Sequence, residues 1–276
     1  MSGISFYKNA DQIAAQIPDG ALLALPPDYS LVAMEVVRAL IRKRARNLRL
    51  LGVPILGLSA DLLIGAGCVA EVETSAVSLG EAGLAPRFTD AVEKKSLLVK
   101  DATCPAIHCA LQAAEKGVPF MPLAGIGASD LVKERKDWKV QGDGVLGDLV
   151  LIPAIRPDVA LFHARWADEA GNVWVGRRRE LATAAHAART SLVSFEEQKK
   201  GDMLDDELLA PGVISSIYVS GLVHAPRGAW PLGMPGLYGA DDMHVSQYAK
   251  AARTREGFLK YLDEWILTPR KSTSPA

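Results

Sequence analysis

The sequence predicts an α/β fold: an open, mixed but largely parallel sheet with helices on both faces, built as a single domain over residues 1–276. Three observations carry this expectation. In the N-terminal half, short apolar runs alternate with stretches of helical period. Those runs are apolar throughout rather than at every second residue, the mark of parallel strands covered on both faces. From Leu149 onward, strand-like runs follow one another across short turns, which adds the mixed character. Hydrophobic residues make up 49% of the 276, enough to bury a sizeable core.

Each element follows from local pattern. Ala10 to Ile17 has amphipathic helical spacing and closes at Pro18-Asp19-Gly20, a turn signature. ALLAL (21–25) reads as a buried strand, interrupted by PPDYS (26–30). Leu31, Met34, Val37, Leu40 and Ile41 then recur at helical spacing as far as Arg44, and LRLLGV (48–53) is the next strand. After LSADLLIGAG come a strand CVAEVE (68–73), a loop GEAGLAPRF, a helix around Thr89 to Lys95 and a strand SLLV (96–99). DATCP leads into a helix from Ala106 to Lys116 that ends at Gly117, and Val118-Pro119-Phe120 opens an extended piece. The hydrophilic stretch KERKDWKVQGDG (133–144) is the one candidate domain boundary and reads equally as a long surface loop. LVLIPAI, VALFHA and NVWVG are strands, the last two joined by a turn in which Asp168, Gly171 and Asn172 supply the chemistry. A helix from Arg179 to Ala188 precedes TSLVSFEE, a strand ending at paired carboxylates, and SIYVSGLVHAP is another strand. Two helices, Val245 to Arg253 and Glu256 to Ile266, finish the pattern before a frayed tail, RKSTSPA.

Composition excludes several functions. With 31 basic and 32 acidic residues the net charge is -1, and a nucleic-acid partner is not expected, because phosphate affinity rests on clustered cations. The dense basic run Arg42 to Arg49 is explained by a solvated helix end. No apolar stretch is long enough to cross a bilayer, and MSGISFYKNADQ lacks a signal-peptide core, so a cytoplasmic location and no membrane partner are expected. Cys68, Cys104 and Cys109 form no CxxC pair, so neither a disulfide framework nor a metal site is expected.

In an open α/β sheet, ligands gather at the carboxyl ends of the strands. The loops expected there are PPDYS (26–30), GIGASD (125–130), ARWADEAGN (164–172), EEQ (196–198) and HAPRGAWPLGMPG (224–236). Gly125 and Gly127 could present backbone N–H groups to an anion, although an ordinary turn explains them too. No dinucleotide fingerprint follows the first strand, where two prolines stand, and no G-x-S-x-G elbow occurs. Of five histidines, His163 and His224 are favoured because both lie at expected strand ends. Arg165 joins them in the ARWADEAGN loop. Glu196 and Glu197 project to opposite faces if extended, so one of them can anchor a helix or loop but they are no carboxylate pair. Asp101, directly after a strand, is a weak catalytic candidate by position.

The order of these blocks carries a resemblance. PDGALLAL, LRLLGV, LLIGAGCVAEVETSAVSLGEAGLAPRFTDAVE, GVPFMPLAGIGASDL, IPAIRPDVALFHARWADEAGNV, TSLVSFEE and VHAPRGAWPLGMPGLYGADDMHVSQYAKAARTREGF together resemble the A-type subunit of family I CoA-transferases, in the glutaconate CoA-transferase branch. DVALFHARWADEAGNV and HAPRGAWP are the most specific blocks. The resemblance implies a CoA-transferase-like fold and a B-type partner subunit in a heterodimer or heterotetramer. It also implies transfer of CoA between an acyl-CoA and a carboxylic acid, with coenzyme A a substrate rather than a permanently bound cofactor. In that chemistry a glutamate carboxylate attacks the thioester, and the family's glutamate lies on the B-type subunit, so no residue here inherits it. A carboxylate nucleophile must be desolvated and aimed beside N–H donors. An acyl-CoA hydrolase of the same superfamily, cleaving a ring or a thioester, and a non-catalytic acyl-CoA-binding relative are the alternatives. This chain departs from the family pattern at LPPDYSL, which replaces a glycine-rich loop: prolines give no N–H, and Asp28 and Tyr29 are the side chains left to meet a substrate. At DATCP, where related chains often carry a glutamate, Asp101 stands instead.

Overall fold

A computed structural model describes residues 4–142 and 147–268. In chain order the first half holds β1 (Ser5–Tyr7), α1 (Ala10–Ala14), β2 (Leu22–Leu25), α2 (Met34–Arg42), β3 (Leu48–Gly52), α3 (Leu58–Gly65), β4 (Val69–Thr74), α4 (Pro86–Glu93), β5 (Leu98–Asp101) and α5 (Cys104–Glu115). Next come β6 (Phe120–Ala124), α6 (Asp130–Glu134), β7 (Lys139–Gly142) and β8 (Asp148–Pro153). The remainder is β9 (Val159–Asp168), β10 (Val173–Trp174), α7 (Arg179–Ala187), β11 (Thr190–Lys199), β12 (Val213–Ile214), β13 (Gly221–His224), α8 (Asp242–Ala251) and α9 (Arg255–Leu262).

The main sheet runs β1-β13-β11-β9-β2-β3-β4-β5, and every neighbouring pair along that path is parallel. Its mixed character comes from β10, which pairs antiparallel with β9 and with β12. Continuous apolar runs become parallel strands because both faces are covered. Leu23 and Leu25 point into one core while Ala24 enters the other; Leu161 and its neighbours Ala160 and Phe162 divide in the same way. Helices α1, α2, α3, α8 and α9 supply the first core, and α5 and α7 the second. Strand order reverses at β2: successive strands step out to β5 on one side, and β9, β11 and β13 step away on the other. Right-handed crossovers in opposite directions put their helices on opposite faces, which is the division seen.

Three expectations are corrected. LVLIPAI is a strand, yet β8 lies between β6 and β7 in a separate antiparallel sheet, not in the main one. Within the stretch 133–144, Lys139–Gly142 is β7 and not loop, and residues 143 and 144 lie outside the described residues, as does the tail 270–276. In SIYVSGLVHAP the strand is confined to Gly221–His224, after a single 3-10 turn at Ser216–Tyr218. The small sheet is held to the main one by Arg135, buried with Glu73 at 2.8 Å and donating to the Asp101 carbonyl at the end of β5.

Candidate active site

The carboxyl ends of the parallel strands converge where β9 and β2 part, and the loop after β2 sits over that gap. Ser30 N–H donates to the Pro27 carbonyl at 2.8 Å, closing a tight turn. Leu31, at φ 61°, accepts from His163 N–H at 2.7 Å and so ties the loop to β9. The Ser30 hydroxyl donates to Glu180 in the first turn of α7. Tyr29 is left 69% exposed at the tip.

Asp28 points the other way. Its two carboxylate oxygens lie 3.0 and 2.9 Å from the Leu58 N–H at the head of α3, a helix whose own N-cap, Gly57, has no side chain to offer. A Cβ on Gly57 would collide with the Asp28 carboxyl, so this approach requires a glycine. Burial pushes the Asp28 carboxyl up to about 7; the Leu58 amide draws it down, and the like charge of Asp61 adds to the rise. Further along the same edge, Ser75 Oγ is 3.1 Å from Cys104 Sγ, and the exposed Cys104 begins α5 behind its cap Thr103. The Tyr29 hydroxyl is raised by burial and then by Glu180 and Cys104; His108, one turn along α5, is lowered by burial against the pull of Glu180. Glu180 thus acts on both Tyr29 and His108, and Cys104 on Tyr29, while Asp28 faces the head of α3.

A second assembly centres on buried His163, Ser194 and Glu196. His163 lies inside β9 rather than at the strand end the sequence predicts, because the strand continues to Asp168. Its Nε2 is 2.9 Å from Glu196 Oε1 and its Nδ1 is 2.7 Å from Ser194 Oγ. A carboxylate only accepts, so Nε2 carries a proton. Glu196 also receives the Tyr238 hydroxyl and, at 2.6 Å, the Arg227 N–H, while its carbonyl accepts from His224. Burial pushes Glu196 up, but the bonds from His163, Tyr238 and Arg227 outweigh it and hold the carboxyl below its ordinary range. Glu197 projects to the other face and accepts from Trp166, so the expected split of the pair is present, with Glu196 the anchor of the 225–238 loop.

The expected site residues are therefore not brought to one place. Asp28 and Tyr29 share the β2 loop. His163 and His224 converge on Glu196, and Arg165 stacks over Trp166 at 4.6 Å, its Nε without a hydrogen-bond partner. Gly125 (φ 85°) and Gly127 belong to the turn leaving the small sheet. Asp101 is exposed at the end of β5. Glu180, Ser75, Cys104 and His108 carry no signal in the sequence, since Ser30 and Glu180 stand 150 residues apart and no motif joins them. Among the described residues, no group of three or more His, Cys, Asp or Glu side chains could hold a metal, and no helix is long and apolar enough to cross a membrane.

Residues 7–218 match the family model described as coenzyme A transferase. The chain is 31% identical over 261 residues to the A-subunit of 3-oxoadipate CoA-transferase from Pseudomonas knackmussii, a match that covers 91% of this chain and 89% of that one. The crystal structure of glutaconate coenzyme A-transferase from Acidaminococcus fermentans superposes with a TM-score of 0.85 over 95% of this chain and 89% of its own, at 24% identity, a likeness of fold. That of a variant of the decarboxylase AibA/AibB superposes with a TM-score of 0.81 at 29% identity, over 96% of this chain and 100% of its own.

Proposed function

We propose, from the premise that this chain belongs to the coenzyme A transferase family, that it is the A-type subunit of a two-subunit, cytoplasmic CoA-transferase. The complete enzyme moves CoA between an acyl-CoA and a small carboxylic acid, with coenzyme A as substrate. The observation that carries this reading beside the family match is the state of the acids at the strand ends. Glu180 is engaged by Ser30, both oxygens of Glu196 are taken in a buried cluster, and Asp28 is fixed on the Leu58 amide. None of these three is a solvent-open carboxylate free to attack a thioester. In this reading the nucleophile is the glutamate that the family carries on its B-type subunit, in a heterodimer or heterotetramer.

In this reading the partner's glutamate attacks the thioester carbonyl and expels the CoA thiolate to form an acyl-glutamyl anhydride, and the thiolate then attacks the glutamyl carbonyl, giving the glutamyl-CoA thioester and releasing the donor acid as its carboxylate. The acceptor acid reverses these steps. This chain walls the acyl pocket through Asp28 and Tyr29. Arg165 and His224 stand farther along the same edge, and His163 is a positioning residue that holds Glu196 and the 225–238 loop. Exclusion of water strengthens the electrostatic stabilisation of the developing oxyanion. Gly125, Gly127 and Asp101 are placed toward the small sheet, where a long CoA arm or the partner can meet them.

Co-expression with the neighbouring B-type gene product tests this. The expected result is a stable complex that exchanges CoA between acids and, after borohydride treatment of the acyl-CoA-loaded enzyme, carries a reduced glutamate on the partner. A complex that hydrolyses acyl-CoA with no trapped adduct, or this chain acting alone, would sink it.

A further inference from the structure

Basic side chains collect at the carboxyl ends of β9 and β11 and continue to the head of α7. Arg165 lies 4.6 Å over the centre of the Trp166 ring, and Lys199 Nζ lies 4.4 Å from the same centre. Trp166 packs on Trp174 with ring centres 4.9 Å apart. Trp174 in turn packs on Gly176, where a Cβ would meet the indole at 3.0 Å. Arg177 and Arg178 follow that glycine directly, and Arg178 Nη1 folds back toward the Val175 carbonyl at 3.4 Å. The two tryptophans thus join four cations into one strip. Among the described residues, none of the four forms an ion pair. The acids beside them are engaged by other donors: Glu197 by Trp166 Nε1, Glu180 by Ser30, and Asp168 by Asn172 and the Met203 N–H. Burial holds the Arg178 guanidinium below its ordinary value; Glu180 works against that, and the like charge of Arg177 adds to it. The Nε atoms of Arg165 and Arg178 are both buried without a hydrogen-bond partner among the described residues.

We propose that this strip binds the phosphorylated nucleotide end of coenzyme A, meeting its diphosphate and its separate ribose phosphate with two pairs of cations set apart by the tryptophans. This rests on the transferase reading above, and it leaves the small-sheet end of the edge to the partner. Like charges gathered without an acid between them favour a guest that carries several negative charges. A guanidinium lying flat on an indole keeps the N–H groups of its edge free, and that planar fork matches a phosphate in two parallel bonds. A small carboxylic acid brings a single charged group and cannot span from Arg165 and Lys199 to Arg177 and Arg178. A ligand with phosphates on either side of a sugar has that reach.

Truncated substrates make the test. In the complex with the B-type partner, KM and kcat are compared for an acyl-CoA, the same acyl-dephospho-CoA and the same acyl-pantetheine, which lacks the nucleotide. The expected KM rises at each truncation, by about tenfold or more from acyl-CoA to acyl-pantetheine, the worth of one charged hydrogen bond or more. That advantage shrinks as salt is added. Arg165→Gln and Arg177→Gln each raise KM for acyl-CoA about tenfold and narrow its advantage over acyl-pantetheine. Arg177 is exposed, so its variant still gives the ratio should Arg165→Gln fold poorly. Equal KM values for acyl-CoA and acyl-pantetheine overturn the proposal, and so do variants that leave the ratio between them untouched. Calorimetry of CoA, dephospho-CoA and pantetheine on the same complex separates this proposal from the reading beneath it. Tighter binding of CoA that both variants weaken, in a complex that transfers nothing, keeps the strip while the transferase reading falls. Transfer that proceeds with no difference among the three ligands keeps the transferase and removes the strip.

Discussion

Glu196 shows how a buried charge is kept ionised without a lysine or arginine side chain. His163, Tyr238 and the Arg227 amide all donate to it, and Phe195 and Glu197 on either side face away. Its folded pKa is depressed, so the stability it contributes is fully present above its ordinary value of 4.5 and is lost as pH falls through the lower folded value. Glu196→Gln leaves one donor facing another; we expect a loss of about 2–4 kcal/mol in urea unfolding at neutral pH. The gap between variant and wild type should narrow below pH 4.5, and a gap constant with pH would contradict this account. The loop PPDYS is legible in the sequence because two prolines end the buried strand, and what the sequence does not give is the partner of Asp28, the Leu58 amide at the head of α3. His163 is visible there only as a histidine near a strand end, and its partners Ser194 and Glu196 lie on a neighbouring strand that no spacing rule connects to it.

At the scale of elements, the small antiparallel sheet packs Val150 and Ile152 into the second core and is tied to the main sheet by a buried ion pair. Glu73 is raised by burial but drawn back by Arg135, whose guanidinium also binds Asp137 and lies 4.5 Å over the Trp138 ring. Arg135→Ala would strand the Glu73 carboxylate and strip the Trp138 face, at a cost of about 3–5 kcal/mol. Hydrogen exchange should then rise in β6, β7 and β8 ahead of the main sheet; uniform acceleration across both sheets would show that the pair holds no local joint. The strands of the main sheet are readable because each is a bounded apolar run. Assignment of β8 is not, since the run LVLIP suits a strand in either sheet, and only the pairing of Leu149 with Ala124 and Gln141 decides which. The stretch 133–144 resembles a loop because its charges hide Trp138, the one buried hydrophobic residue among those described there.

For the whole molecule, the reversal of strand order at β2 fixes where a ligand can lie, and this much follows from sequence once parallel strands are recognised. Which side β9 to β13 occupy does not, because that depends on the handedness of the long return from β5. The same topology makes β1 an edge strand whose only sheet partner among the described residues is β13. Removing residues through Tyr7 would bare the Leu222 and Val223 backbone on that side. Such a chain is expected to scatter light and form higher oligomers on modest warming, whereas the full chain stays dispersed; equal behaviour of the two would mean that β1 protects nothing.

The pairing of Ser5 with Gly221 also sets a timetable for synthesis. A ribosome releases β1 long before β13 has been made, so the β1 segment must wait, uncovered, until Gly221–His224 has emerged. Tyr7 spends that interval without its seat beside Gly221, and a holding factor would find its natural target there.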